Sequence, residues 1–267
     1  MQDILTCAMG LDIHRDVIVA CLAKGELGTD PEIEIRSFST LIPEMRKLRD
    51  WVLEAECRYV AMESTGIYWQ PIYEMLEPCF DGQINILVVN ARHMKNVPGR
   101  KTDMRDAQWI ATLLRAGLLK GSFIPDKTFR ELRHLTRYRK SIVRDITAQK
   151  NRIDKFLQSS GFRFTAFLSD AFGASGRNII RHLMEYGNIS REALDRCLKT
   201  QTRKRIDEIL IALNGSLSEH QRGFLRMIFG HLEALEQHRH TVEDAITKEI
   251  TKHEEALSLL CSIPGID

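Results

Sequence analysis

Across the first 115 residues the spacing of apolar positions alternates between two and about 3.6, and each switch marks an element. Ile4 to Asp12 reads as a mostly apolar strand ending in a carboxylate, and Val17 to Leu22 follows so closely that the two should form a hairpin. A third strand, Ile33 to Phe38, comes after the turn-rich Gly28-Thr29-Asp30-Pro31. Leu41 to Ala55 then places Ile42, Met45, Leu48, Trp51 and Val52 at helical spacing. Arg58 to Glu63 is a strand that again ends in a carboxylate; Ile67 to Leu76, opened by Ser64-Thr65-Gly66, is helical; Ile84 to Val89 is a short strand. Pro98-Gly99 breaks the chain before a helix that carries Trp109-Ile110 and Leu113-Leu114, with Thr102 or Asp103 as its N-cap.

After Gly121 the pattern becomes extended helix. From Lys127 to Lys155, Phe129, Leu132, Leu135, Ile142, Ile146 and Ile153 keep to spacings of three, four and seven, and Leu157 continues them. This predicts an amphipathic helix roughly 45–50 Å long at 1.5 Å per residue. Residues 160–215 hold short helical patterns punctuated by Gly161, Gly173, Gly176 and Gly187, and read as an inserted helical subdomain of no legible function. From Ser218 a second long helix carries Leu225, Ile228, Leu232, Leu235, Val242, Ile246, Ile250 and Leu257 in near-heptad spacing, with Arg239 and His253 on the same stripe. It should pair with the first long helix or with another subunit.

The order β-β-β-α-β-α-β-α describes an antiparallel meander followed by right-handed crossovers, the α/β arrangement of ribonuclease H-like folds. In such a mixed sheet the first strand lies beside the fourth, which brings the ends carrying Asp12 and Glu63 together. The helix with Asp103 and Asp106, three positions apart and so on one face, would cross the same edge. Each acid has an ordinary alternative: Asp12 as a turn residue, Glu63 as a surface residue, Asp103 and Asp106 as first-turn complements to the helix dipole. Their conjunction favours a shared site. Clustered carboxylates raise one another's pKa, a strain that divalent cations relieve, and hard oxygen donors suit Mg²⁺ or Mn²⁺. Two such ions can hold the attacking and leaving oxygens of a phosphodiester.

Composition narrows this reading. The chain has 267 residues, 43% hydrophobic, with 38 Lys and Arg against 36 Asp and Glu, so charge matters locally rather than globally. Arg92, His93, Lys95, Arg100, Lys101 and Arg105 crowd the stretch before the acidic helix, where Asp103 is the only acid, and form a candidate phosphate-contacting strip. Residues 127–155 hold ten Lys or Arg against three acids, and Arg137, Lys140 and Arg144 on that helix are further candidate nucleic-acid contacts. The six scattered cysteines contain no C-x-x-C pair and fit reduced thiols of a cytoplasmic protein. No signal peptide opens the chain and no apolar run is long enough to span a membrane. His238 and His240 are two apart and cannot share a helix face, which disfavours a metal site with His231.

Four blocks carry a resemblance to a known family: Gly10-Leu11-Asp12-Ile13-His14, Met62-Glu63-Ser64-Thr65-Gly66-Ile67-Tyr68-Trp69, Asn90-Ala91-Arg92-His93-Met94-Lys95, and Gly99-Arg100-Lys101-Thr102-Asp103-Met104-Arg105-Asp106-Ala107. In this order and spacing they resemble the DEDD transposases of bacterial insertion sequences, the Piv-invertase-like, bridge-RNA-guided recombinases. The resemblance implies a RuvC-like ribonuclease H fold at residues 1–122 with Asp12, Glu63, Asp103 and Asp106 as catalytic, metal-binding tetrad, followed by a coiled-coil domain at 123–260. It further implies a recombinase that cuts and rejoins DNA through a Holliday-junction-like intermediate, with a structured guide RNA and a homo-oligomer built through the long helices. Ser262-Ile263-Pro264-Gly265-Ile266 resembles the opening of the family's second conserved domain, which bears its serine nucleophile, so residues 261–267 are expected to be the start of a domain missing here and catalysis to be incomplete. Alternatives are a non-catalytic nucleic-acid-binding and dimerisation module or a Holliday-junction-resolvase-like nuclease. A sugar-kinase-like ATPase is disfavoured by the lack of a later glycine-rich phosphate loop.

Overall fold

A computed structural model of the chain describes residues 3–64, 66–90 and 106–265. The chain divides into two compact units, Met1–Pro125 and Asp126–Asp267. In the first, the elements run β1 (Cys7–Ile13), β2 (Val17–Lys24), β3 (Glu32–Ser39), α1 (Ile42–Glu54), β4 (Tyr59–Glu63), α2 (Trp69–Leu76), β5 (Asn85–Val89) and α3 (Asp106–Arg115). The sheet order is β3-β2-β1-β4-β5, with β2 antiparallel to both neighbours and β1, β4 and β5 parallel. This is the mixed sheet of a ribonuclease H-like fold, as the element order predicts. The β1–β2 hairpin pairs Ile13 with Ile18, and the His14 N–H donates to the Val17 carbonyl at 2.9 Å to close its turn.

Strand alternation gives the sheet two unlike faces. On one, Met9, Leu11, Ile13, Val60 and Met62 pack against Leu48, Trp51 and Val52 of α1 and Ile72 and Leu76 of α2. On the other, the strands present small residues, Ala8, Gly10, Cys21, Ala23 and Ala61, to Ala107, Ile110, Ala111 and Leu114 of α3. The approach is closest at Gly10, where an added Cβ would stand 2.2 Å from the Ala107 carbonyl oxygen and 2.4 Å from the Ala111 nitrogen. Beyond α3 the chain covers the outer edge of β5, with the Ser122 N–H donating to the Val88 carbonyl at 2.8 Å.

In the second unit the elements are α4 (Lys127–Ser159), α5 (Ala174–Tyr186), α6 (Arg191–Cys197), α7 (Thr200–Arg203), α8 (Ile206–Ala212), α9 (Glu219–Ile250) and α10 (Glu254–Cys261). Asp126 caps α4 by accepting from the Phe129 N–H, and Ser218 with Gln221 forms a capping box on α9. Phe129 meets His253, Tyr138 meets His238, Gln149 meets Ile228 and Phe156 meets Phe224, so the two long helices run antiparallel. The α9 seam that could have faced either partner is therefore closed by α4 of the same chain. Leu257 does not continue it: the chain turns at Thr251–His253 and Leu257 is exposed, because α4 begins at Lys127, opposite His253, and offers nothing further to pack against.

Residues 160–215 are not a separate body. Phe162, Phe164, Ile179, Ile180, Leu183, Leu194, Ile209 and Leu213 share one core with Ile146, Ile153 and Leu157 of α4 and Leu225, Phe229 and Leu232 of α9. All six cysteines are free thiols, three of them buried, and burial pushes Cys21 up to about 11. Among the described residues no helix is long and apolar enough to cross a membrane.

Candidate metal centre and nucleic-acid interface

Register decides which carboxylates meet. Leu11 of β1 pairs with Met62 of β4 in parallel, so the next residues along, Asp12 and Glu63, stand side by side at the carboxyl ends of adjacent strands. Asp12 shares the sheet face of Ala8 and Gly10, and Glu63 that of Ala61, so both lie on the side covered by α3. Helix α3 runs antiparallel to β1: Ala107 sits over Gly10, while at the far end the Ile4 and Leu5 N–H groups donate to the Arg115 carbonyl at 2.9 and 3.2 Å. Asp106, one residue before Ala107, therefore opens α3 at the end of the sheet where Asp12 and Glu63 lie. Carboxyl ends of parallel strands are where ligand sites collect in open α/β sheets.

Asp12, Glu63 and Asp106 thus share one end of the sheet, and their carboxylate oxygens are the donors a hard divalent cation takes. Among the described residues no three or more His, Cys, Asp or Glu side chains converge closely enough to hold an ion by themselves. Asp103, with the expected N-cap at Thr102, lies outside the described residues, as do Arg92, His93, Lys95, Arg100, Lys101 and Arg105.

Two residues that sequence reasoning passed over bear on this site. His14 reaches back to Asp12, its Nε2 3.2 Å from Oδ2, while its own side chain stays 60% exposed. His14 lies just past the end of β1 at Ile13, so strand alternation alone does not place it. Arg115 is almost wholly buried and donates to the carbonyls of Leu5, Gly25 and Glu26 at 3.0, 3.2 and 2.8 Å, and pairs with Asp3 at 3.1 Å. It ties the end of α3 to the start of β1 and to the β2–β3 turn, which holds α3 in line at its other end. An arginine directly after the apolar Leu113-Leu114 is the hint the sequence offers.

On α4, Arg133, Arg137, Lys140 and Arg144 are exposed and fall at spacings of four, three and four. At 100° per residue they lie within about 60° of one another, opposite the seam of Ile142, Ile146, Gln149 and Ile153. Neighbouring cations are engaged elsewhere: Arg139 pairs with Glu243 at 2.7 Å and Lys150 lies over the Phe172 ring. Gln149, a polar residue on the seam, is buried and donates to the Ile228 carbonyl at 2.6 Å. His238 is bonded to the Tyr138 hydroxyl at 2.8 Å, and no metal-holding cluster forms with His231 or His240 among the described residues.

Comparison with known proteins gives a family match. Residues 9–161 fit the model of the IS110-type DEDD family, described as transposase. No curated protein matches the chain. Among solved structures, RuvC of Thermus thermophilus is similar at 12% identity and a TM-score of 0.30, covering 43% of this chain and 99% of that one. The T. thermophilus RuvC in complex with Holliday junction substrate is similar at 13% identity and 0.27, covering 44% and 100%. Likenesses of that degree add nothing to the strand order described above.

Proposed function

Because the chain belongs to the DEDD transposase family of the IS110 type, we propose that its sheet unit is the metal-dependent strand-cleaving part of an insertion-sequence transposase, acting on DNA in the bacterial cytoplasm. The observation that carries this is the β1–β4 register, which sets Asp12 beside Glu63 on the face that α3 covers with Asp106 at its start. Asp12, Glu63, Asp103 and Asp106 are the residues that would hold Mg²⁺ or Mn²⁺, which when bound stabilises developing charge on a phosphodiester. Within the chain, β1 and β4 fix the spacing of Asp12 and Glu63, and His14 restrains the Asp12 carboxylate. The short approach at Gly10 keeps α3 from drifting off the sheet.

The α4 stripe, together with Arg92, His93, Lys95, Arg100, Lys101 and Arg105, supplies cations for nucleic-acid phosphates. Guidance by a structured RNA, a Holliday-junction-like intermediate and a homo-oligomer complete the reading, supported by the family resemblance. Manganese titration of the intact chain, followed calorimetrically, tests the centre. Asp12→Asn and Glu63→Gln should each weaken binding and abolish any Mn²⁺-dependent cleavage of branched DNA that the chain performs; Mn²⁺ affinity unchanged in both variants would overturn it.

A second reading, a nucleic-acid-binding module without cleavage, is favoured by the exposed α4 stripe alone. Binding of branched DNA with no cleavage at any Mn²⁺ concentration would select it.

A further inference from the structure

The short helices between α4 and α9 leave a groove with a chemistry unlike that of the stripe. The exposed side of α5 carries Asn178, His182 and Tyr186 four residues apart. The rings of His182 and Tyr186 stand 4.6 Å apart between centroids, tilted by 39°. Across from them α6 presents Arg196, and Asn188 and Glu185 complete the rim of a cavity of about 620 Å³, within the range of ~300–1,000 Å³ usual for small-ligand clefts. Tyr186 is 55% exposed, although the rest of the helix is firmly seated through Ile179, Ile180 and Leu183. Its backbone is fixed too, because Gly187 ends the helix in the left-handed region at φ 81° and its carbonyl accepts from the Leu217 N–H at 2.8 Å. A tyrosine this exposed on so rigid a support contributes little to the core, and His182 beside it is half-buried.

We propose that this α5–α6 groove is a stacking site for an unpaired nucleobase of single-stranded nucleic acid. Two rings leaning over one another at this distance leave an outer face on which a base stacks, and every base has a face to offer. A phosphate is the poorer fit, because Arg196 is balanced by Glu185 across the same groove. Asp195, next to Arg196 in sequence, is paired instead with Arg203 at 2.8 Å. The planar guanidinium of Arg196 and the Asn188 amide supply the donors and acceptors that a base edge reads. Burial lowers the His182 imidazole below its ordinary value, against the opposing pull of Glu185.

None of Asp12, Glu63 and Asp106 and none of the stripe cations belongs to this groove, so it can be tested without metal. Fluorescence anisotropy in EDTA would follow short fluorescein-labelled single-stranded RNA, single-stranded DNA and duplex DNA binding to the intact chain. Tyr186→Ala should weaken single-strand binding about 5- to 150-fold, the equivalent of ~1–3 kcal/mol per stacked base. Tyr186→Phe should retain it, Arg196→Ala should lose part of it, and duplex binding should not move. Weakening with RNA alone assigns an RNA loop, and weakening with DNA alone an extruded DNA base. Affinity unchanged for both single strands in Tyr186→Ala and Arg196→Ala, or an equal weakening for duplex, overturns the proposal. An unshifted far-UV melting curve for both variants verifies that the fold is intact.

Discussion

Where α3 lies on the sheet, the fully buried surfaces that meet are mainly alanines, a glycine and a cysteine with Ile110 and Leu114, and Val19, Ile33, Ile35 and Leu87 pack beside them only partly buried. Where α4 meets α9, the seam is made by Ile146, Ile153, Leu157, Leu225, Phe229 and Leu232. The first interface brings two backbones together and so sets the height of Asp106 over the strand ends. The second is a cushion of large side chains that holds two helices together and leaves their outer faces free for charge. A small-residue interface tolerates almost no added volume, whereas an interdigitated apolar seam can repack. Position is therefore guarded at the carboxylates, and surface at the basic stripe.

This contrast can be broken region by region, since Trp51, Trp69 and Trp109 all belong to the sheet unit and report it alone, while the helical unit dominates the far-UV signal. The largest effect is expected from Arg115→Met. Removing a buried guanidinium that donates to the carbonyls of Leu5, Gly25, Glu26 and Thr29 and pairs with Asp3 should destabilise the sheet unit by about 3–5 kcal/mol, read as a lower urea midpoint in tryptophan fluorescence. A tryptophan midpoint equal to that of the parent would mean that the clamp is dispensable.

Gly10→Ala should follow, at about 3 kcal/mol from overpacking, with weakened Mn²⁺ binding because α3 must lift to clear the new methyl. The same exchange in the other region sharpens the comparison. Gly223, inside α9 with nothing within 4 Å of an added Cβ, should become more stable by about 0.5–1 kcal/mol as alanine, seen as a higher midpoint in circular dichroism. Equal destabilisation at both glycines would erase the distinction between the two interfaces.

The smallest stability effect belongs to the stripe. Replacing Arg137, Lys140 and Arg144 together by alanine should leave both midpoints in place. It should reduce the salt dependence of duplex binding by about 0.9 in log–log slope for each phosphate no longer neutralised. An unchanged slope would remove these residues from the interface.

Much of the architecture was legible along the chain. Apolar runs located β2 to β5 to within one or two residues and β1 to within three, and the heptad stripes located α4 and α9, because burial of one face leaves its period in the sequence. The pairing of Asp12 with Glu63 was legible only as a consequence of fold class, since it depends on β1 and β4 lying parallel across some fifty intervening residues. Leu257 keeps the α9 period without sharing its seam because a helix's apolar period can outlast its partner: the stripe continues past Ile250, but α4, which starts at Lys127 opposite His253, does not reach that far.

What the sequence determined by itself was the order of elements, the face each side chain takes within its strand or helix, and the placement of a carboxylate at the end of β1, at the end of β4 and at the start of α3. These are local properties, set by steric preference and the repeat of the backbone. Only the tertiary structure decided that Gly10 is the point of closest approach, that Arg115 is buried among carbonyls, that His14 folds back on Asp12, and that the α9 seam is filled by α4 of the same chain. Most of these depend on groups remote in sequence sharing one small volume, and no local period records which surfaces packing will bring together.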